Sequence, residues 1–327
     1  MKRKFSFIYI VCFLLCFLTL FGNTITVKAD ADKVYLGGMP AGFSLETKGA
    51  RIVGVCDVIT SEGVKSPAKC ADIRNGDVII KINGVDVNDA KEVGLSIKSN
   101  KEHLIQIERQ GETLIKSIIP AKDLNGEYRL GVFIRDDICG IGTVTFIKNN
   151  RIASLGHPVI GDDGELVKIT GGAIYSCTIT GCVKGEKGKA GELRGVFAKD
   201  KEIANIDRNL DCGVYGKIVD GYNFDKLETI EVGRAKVGSA FIKSTINGEG
   251  SKLYKISIIK TDNYSTTKNF VVRVDDENLL SLTGGIVQGM SGSPIIQDGK
   301  LVGAVTHVFI NDPTRGFGIS IYNMLDN

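Results

Sequence analysis

The chain has 327 residues, of which 43% are hydrophobic and 24% are charged, and its formal net charge is +3. These values are ordinary for a soluble globular protein. The basic residues are scattered along the chain, which excludes the footprint of a nucleic-acid-binding protein. The 40 glycines beside only 6 prolines, together with frequent Val, Ile and Thr, predict short strands joined by tight turns.

The N-terminus has the three parts of a secretory signal. The basic residues 2–4 precede an apolar run over 5–21, and small residues follow up to Ala29. We predict that 1–29 is a signal peptide cleaved after Ala29. The alternative is an uncleaved membrane anchor, because a run of about 17 residues is near the lower limit for crossing a bilayer. Either segment would deliver the rest of the chain outside the cytoplasm.

The turn and strand signals of 33–122 predict a small domain of strands with one helix. Asp89 stands before the helical spacing as a candidate N-cap. The predicted turn, strand, hairpin turn, helix and strand pair cover 75–76, 77–82, 83–84, 89–99 and 104–113. These elements, and most specifically the block 73–84, resemble a PDZ domain, a module that binds the C-terminal peptide of a partner protein.

A glycine-rich segment near the start of this region resembles the loop with which PDZ domains hold the terminal carboxylate of a peptide. Its residues are Gly38, Ala41, Gly42 and Phe43, within Gly-Met-Pro-Ala-Gly-Phe. Glycine permits the backbone to aim consecutive N–H groups inward, and the peptide would then add as a strand to the sheet edge. A plain Gly/Pro turn that leads into a strand is the alternative.

From residue 130 onward, short strands alternate with glycine-containing turns. The polar stretch 121–129 is the predicted linker before them. Even spacing of this kind is typical of a β-sandwich or barrel, and a short turn near 277–282 is the one helical signal. The predicted strands are 142–147, 167–179, 193–197, 235–242, 253–259, 270–274, 295–296 and 301–308.

The segment Gly-Met-Ser-Gly-Ser-Pro at 289–294 has the composition of a turn that presents a catalytic serine. Nucleophilic catalysis by serine needs a hydroxyl on a sharp turn, a base within reach and N–H donors for the oxyanion. Ser291 would supply the hydroxyl, and the N–H groups of Gly289 and Ser291 would form the oxyanion hole. The segment is similar to Gly-Asp-Ser-Gly-Gly-Pro of chymotrypsin-like peptidases, where Ser293 falls at the second glycine, so Ser291 is the predicted nucleophile.

Histidines and carboxylates are the candidates for the rest of a catalytic triad. Among the 3 histidines, His103 lies in the region 33–122. His157 stands between a glycine and a proline, which fixes its backbone and exposes its ring, as a general base requires. His307, on the strand after the serine turn, remains the alternative base. For the orienting carboxylate the residues leave several candidates open: Asp162, Asp163, Asp207, Asp211, Asp275 and Asp276.

Four stretches of the chain resemble the stage IV sporulation protein B peptidase family of endospore-forming bacteria. They are 140–146, 153–157, 283–296 and 302–313. The order of targeting segment, PDZ domain and peptidase domain is also that of the family. The resemblance implies that Ser291 is the nucleophile, His157 the base and Asp276 the acid. It also implies a mostly β chain, with a chymotrypsin-like barrel domain over 130–327.

The resemblance further implies a sporulation signalling serine endopeptidase that cleaves itself. It would then cut a membrane-bound regulatory protein, which frees an intramembrane protease and activates a late sigma factor. Such an enzyme works between the forespore and the mother cell and is membrane-associated before processing, while its PDZ domain binds a C-terminal peptide. No cofactor, metal ion or nucleic acid is expected. The alternative is a PDZ scaffold with a degenerate peptidase domain that does not cleave.

Overall fold

The computed structural model describes residues 32–161 and 164–326, except for the side chain of Asp136. The predicted signal peptide or anchor at 1–29 lies outside these residues, and so do the candidate acids Asp162 and Asp163. Within the described ranges, no helix is both long and apolar enough to cross a bilayer.

The described chain is mostly β, which confirms the predicted fold class. The strands of the first part are β1 Lys33–Leu36, β2 Pro40–Val55, β3 Val58–Thr60, β4 Gly63–Lys65, β5 Val78–Ile82, β6 Val85–Asp86, β7 His103–Arg109, β8 Glu112–Ile118, β9 Ala121–Lys122 and β10 Tyr128–Arg129. Those that follow are β11 Val132–Lys148, β12 Arg151–Ser154, β13 Ile169–Val183, β14 Glu192–Leu210, β15 Gly213–Ile218, β16 Thr229–Val232, β17 Gly238–Ser244, β18 Lys252–Thr261, β19 Phe270–Val274, β20 Pro294–Gln297, β21 Lys300–Phe309 and β22 Asp312–Ser320.

The helices of the described chain are short, and two of them begin at an aspartate that caps the first turn. Asp89 accepts a hydrogen bond from the N–H of Glu92, and Asp276 accepts one from the N–H of Leu279. A side-chain oxygen at this position satisfies an N–H group that has no partner inside the helix. The helices are α1 Pro67–Cys70, α2 Ala90–Ser96, α3 Glu277–Thr283 and α4 Ile321–Leu325.

Six antiparallel strands close into a ring in the order β2, β11, β12, β15, β14, β13 and back to β2. We call this ring the first barrel. Its interior holds aliphatic side chains such as Leu45, Val144, Ile152 and Ile174. Closure pairs the strands on both sides, so that the ring has no open edge.

A second ring of six antiparallel strands has the order β17, β18, β19, β22, β21, β20 and back to β17. This second barrel encloses Ile242, Ile256, Val272 and Ile295. Strand β1 pairs with β11 of the first barrel and with β16, and β16 pairs with β21 of the second barrel. These two strands, β1 and β16, therefore join the barrels.

The far half of β2 leaves the first barrel and enters a smaller sheet with β5, β7 and β8. This sheet has a core of its own, in which Ile79, Ile105 and Ile107 of the strands pack with Val93 of helix α2. Strand β2 thus contributes to two cores: Leu45 lies in the barrel, and Ile52 lies in the smaller sheet.

The structure corrects the predicted carboxylate-binding loop. Ala41, Gly42 and Phe43 belong to strand β2, where they pair with β11 on one side and β13 on the other. Ala41 and Phe43 are buried, and a Cβ on Gly42 would lie 2.2 Å from the ring of Phe197. Gly38 lies in the turn before β2, and its N–H donates to the carbonyl of Val144. The whole segment is part of the first barrel and not a loop at a free sheet edge.

Candidate active site

The predicted serine stands on the turn that enters β20 of the second barrel, and its flanking glycines are required by the backbone. Gly289 and Gly292 have φ values of +95° and +91°, a conformation that side chains disfavour. A Cβ on Gly292 would lie only 2.1 Å from the carbonyl oxygen of Thr143. The serine turn is therefore pressed against strand β11 of the first barrel. The hydroxyl of Ser291 donates to the carbonyl of Thr306 over 2.7 Å.

Two buried threonines of β11 hold this turn across the two barrels, and sequence reasoning did not identify them. The Thr143 hydroxyl donates to the carbonyl of Gly289 over 2.9 Å, and the Thr145 hydroxyl donates to the carbonyl of Gly292 over 2.8 Å. The N–H of Thr143 also donates to the carbonyl of Ser291. Alternate threonines in the otherwise apolar stretch 141–147 were the signal available in the sequence.

Replacing Thr143 by valine is expected to lower kcat by about tenfold with little change in KM, because Gly289 loses the bond that fixes its conformation. The carbonyl of Gly289, left without its hydrogen-bond donor, should also lower the free energy of unfolding by about 1–3 kcal/mol. Steady-state kinetics and chemical denaturation measure the two effects. The Thr143→Ser variant keeps the hydroxyl and should restore kcat. Thr145→Val should cost similar stability but less kcat, and an equal loss of kcat in both valine variants would contradict the assignment.

His157 stands on the turn that follows β12 of the first barrel. Leu155 and Gly156 both have positive φ, which bends the chain sharply before the histidine. The ring atom Nδ1 lies 2.8 Å from the carbonyl oxygen of Pro158. Since a carbonyl oxygen only accepts, Nδ1 carries the proton, and the other ring nitrogen, Nε2, is left as a proton acceptor. This is the tautomer that a general base needs.

The second candidate base, His307, lies beside the first. The ring centroids of His157 and His307 are 4.7 Å apart, with the planes tilted by 41°. Partial burial of the His307 ring, and to a smaller degree the charges of His157 and Lys268, lower the pKa of His307 to about 4. Burial also lowers the pKa of His157 below its ordinary value of 6.5, although the bond to Pro158 acts in the opposite direction.

The pH dependence of activity should follow from the burial of His157. A base whose pKa is lowered stays neutral, and therefore active, at more acidic pH than an exposed histidine. We expect kcat/KM to rise with pH through an apparent pKa below 6.5 and to be level from pH 7 to pH 8. A profile of kcat/KM against pH measures this, and an apparent pKa at or above 6.5 would contradict the burial of the base.

The structure does not bring Asp276 to His157 or Ser291, which corrects the predicted grouping of the three residues. One carboxylate oxygen of Asp276 accepts from the N–H of Leu279 over 2.9 Å, and the other accepts from the N–H of Lys255 over 3.2 Å. The residue is the N-cap of α3. Other carboxylates are held elsewhere: Asp207 pairs with Arg151, and Asp275 pairs with Arg273.

Replacing Asp276 by alanine should therefore affect stability and not catalysis. Loss of an N-cap costs about 0.5–2 kcal/mol of the free energy of unfolding. Asp276→Asn keeps the oxygen that accepts from Leu279 and should retain most of that stability. Chemical denaturation and peptide hydrolysis, measured on the same samples, check the prediction. A large loss of kcat in folded Asp276→Asn would show that the carboxylate charge takes part in catalysis.

Ser291, His157 and His307 line one cavity of about 430 Å³ between the two barrels. Gly289 and Ser291 belong to the lining of the same cavity, and the N–H of neither residue has a hydrogen-bond acceptor among the described residues. Two unpaired N–H donors next to a serine hydroxyl are the groups that an oxyanion hole uses. No cluster in the described parts of the chain has the ligands for a metal ion.

Two closed six-stranded barrels, with a glycine-flanked serine on one and a histidine on the other, define the class of chymotrypsin-like serine peptidases. The family model Peptidase_S55, described as SpoIVB peptidase S55, matches residues 126–325, which is more than half of the chain. The chain therefore belongs to the SpoIVB peptidase S55 family and is a serine peptidase.

Solved structures similar to this chain include two forms of the Rv3671c protease. The active form, from M. tuberculosis, is 17% identical with a TM-score of 0.36, and the match covers 58% of this chain and 72% of that chain. The inactive form is 15% identical with a TM-score of 0.34, and the match covers 57% of this chain and 81% of that chain. No curated protein matches the sequence significantly.

Proposed function

We propose that this serine peptidase is an endopeptidase of sporulation signalling in which Ser291 is the nucleophile and His157 the general base. The observation that carries the proposal is the shared cavity: Ser291, His157 and Gly289 all line it, and the N–H groups of Gly289 and Ser291 have no acceptor among the described residues. These are the parts that acyl transfer by a serine requires.

In this mechanism the Ser291 hydroxyl turns from the carbonyl of Thr306 toward Nε2 of His157 when a peptide binds. Nε2 takes the proton while Oγ attacks the scissile carbonyl carbon, and the oxyanion accepts from the N–H groups of Gly289 and Ser291. The imidazolium then protonates the departing amine, and a water molecule hydrolyses the acyl-enzyme by the same route. The carbonyl of Pro158 orients the ring by accepting from Nδ1–H.

The family name supports a role in sporulation, and the proposal extends that role to specific processing steps. The enzyme cleaves its own N-terminal part and then cuts the exposed segment of a membrane-bound regulatory protein between the forespore and mother-cell membranes. That cut triggers intramembrane proteolysis and activates a late sigma factor. The smaller sheet, with β5, β7, β8 and helix α2, serves as the PDZ domain that binds a C-terminal peptide of a partner.

Purified full-length chain provides the test of self-cleavage. The wild-type protein should shorten with time from its N-terminus, as read by intact mass, while Ser291→Ala stays full length. In the spore-forming host, the Ser291→Ala allele should block spore formation and leave the membrane regulator uncut. Self-cleavage that continues in Ser291→Ala would refute the assignment of the nucleophile.

A further inference from the structure

One wall of the catalytic cavity comes from the segment directly before the serine turn and from the end of strand β21. Ile286 and Val287 precede the turn and are 2% and 1% exposed, and Val308 lies near the end of β21. In acyl transfer the scissile carbonyl carbon lies against the serine Oγ and its oxygen lies at the oxyanion donors. The side chain of the residue before the scissile bond, called P1, then lies against this wall.

The chemistry of the cavity is apolar. None of the described residues that line it is Asp, Glu, Lys or Arg. Apart from the groups already assigned to the reaction, the lining residues are mostly apolar, and the uncharged polar ones among them are Cys139, Gln288 and Thr306. A carboxylate or ammonium group of a substrate would lose its hydration here without gaining a partner, which is costly. An aliphatic side chain would lose only unfavourable contact with water.

The cavity continues past His157 to a second apolar wall on the first barrel. Phe43, Leu155 and Val159 contribute to this side. A volume of about 430 Å³ is within the range of sites that enclose a small ligand. It exceeds the needs of one aliphatic side chain, so the site has room for a neighbouring apolar residue of an extended peptide.

We propose that this cavity selects an aliphatic side chain at P1, so that the enzyme cleaves after such residues and not after charged ones. The inference rests on the proposed function, because it needs Ser291 as the nucleophile. It adds the substrate class: extended segments with apolar residues at the scissile bond.

The first measurement compares peptides that differ only at P1, with Leu, Val, Lys or Asp before a fluorogenic leaving group, on purified full-length protein. We expect kcat/KM for Leu to exceed that for Lys and for Asp by about 100-fold, as differential binding in an apolar pocket allows. In parallel, a fluorophosphonate probe reports whether Ser291 is reactive. If the probe labels Ser291 but the enzyme prefers the Lys or Asp peptide, or prefers none of the peptides, the P1 inference alone is overturned. Absence of both labelling and hydrolysis would overturn the proposed function with it.

The second measurement changes the pocket. Ile310 lies at the rim of the cavity and is 57% exposed, so Ile310→Glu adds a carboxylate without disturbing the core. The ratio of kcat/KM for the Lys peptide to that for the Leu peptide should rise about tenfold. Leu253→Glu is the matched control, because Leu253 is 56% exposed and lies outside the cavity lining. An unchanged ratio in Ile310→Glu, or an equal rise in both variants, would overturn the proposal.

Discussion

Ser291→Ala is expected to lower peptide hydrolysis by at least about 10³-fold, because the acyl-enzyme cannot form without the hydroxyl. The structure predicts little change in the fold. The hydroxyl makes one bond, to the carbonyl of Thr306, and the residue is only half-buried. Rates with a fluorogenic peptide, labelling by a fluorophosphonate and the thermal midpoint of unfolding together separate loss of chemistry from loss of fold.

Ser293 provides the matched control two residues further on. Its hydroxyl is buried and donates to the hydroxyl of Ser244 over 3.0 Å, away from the cavity lining. Ser293→Ala should therefore keep the rate of hydrolysis and lower the free energy of unfolding by about 1 kcal/mol. If Ser293→Ala abolished labelling while Ser291→Ala kept it, the two serines would have to exchange roles.

His157→Gln should reduce kcat/KM by about 10³-fold or more, because it removes the proposed general base, whose tautomer the bond to Pro158 fixes. His307 is the alternative general base that the sequence left open, and its ring lies beside that of His157. No hydrogen bond from its ring to another described residue fixes its tautomer, whereas Nδ1 of His157 donates to Pro158. The structure therefore favours His157 as the base.

The comparison of His157→Gln with His307→Gln decides between the two histidines. We expect His307→Gln to lose only a few-fold in kcat/KM, since it removes a neighbour of the base and not the base itself. Between pH 5 and pH 8, kcat/KM of His307→Gln should still fall at acidic pH, as it does when the base becomes protonated. The residual activity of His157→Gln should no longer show this fall. A larger defect in His307→Gln would assign the base to His307.

The local parts of the site were predictable from sequence because their signals are local. A serine between Gly289 and Gly292 identifies a turn with positive φ, and His157 between glycine and proline identifies another. Two of the short helices, α2 and α3, were likewise marked, by Asp89 and by the pattern of 277–282. Each of these predictions depends on a few neighbouring residues and the backbone they permit.

Predictions that needed long-range information were the ones corrected. An aspartate such as Asp276 can serve either as the acid of a triad or as the N-cap of a helix. Only its contacts with Leu279 and Lys255 distinguish the two roles. The segment 38–43 reads as a glycine-rich loop, but its partners β11 and β13 lie far along the chain. Most of β14 and all of β15 were missed, because charged residues and glycines interrupt the hydrophobic pattern that marks a strand.

Because strand β2 belongs to both the smaller sheet and the first barrel, neither unit can be exchanged for another by recombination without affecting the other. Phe43 and Leu45 of this strand line the catalytic cavity, while Ala50 and Ile52 lie in the core of the smaller sheet. Exchange of the peptide-binding region for another would require a junction in the middle of β2 that preserves its register, since a slip of one residue turns every side chain to the opposite face. Recombination at the predicted linker 121–129 would instead remove strand β2 from the first barrel.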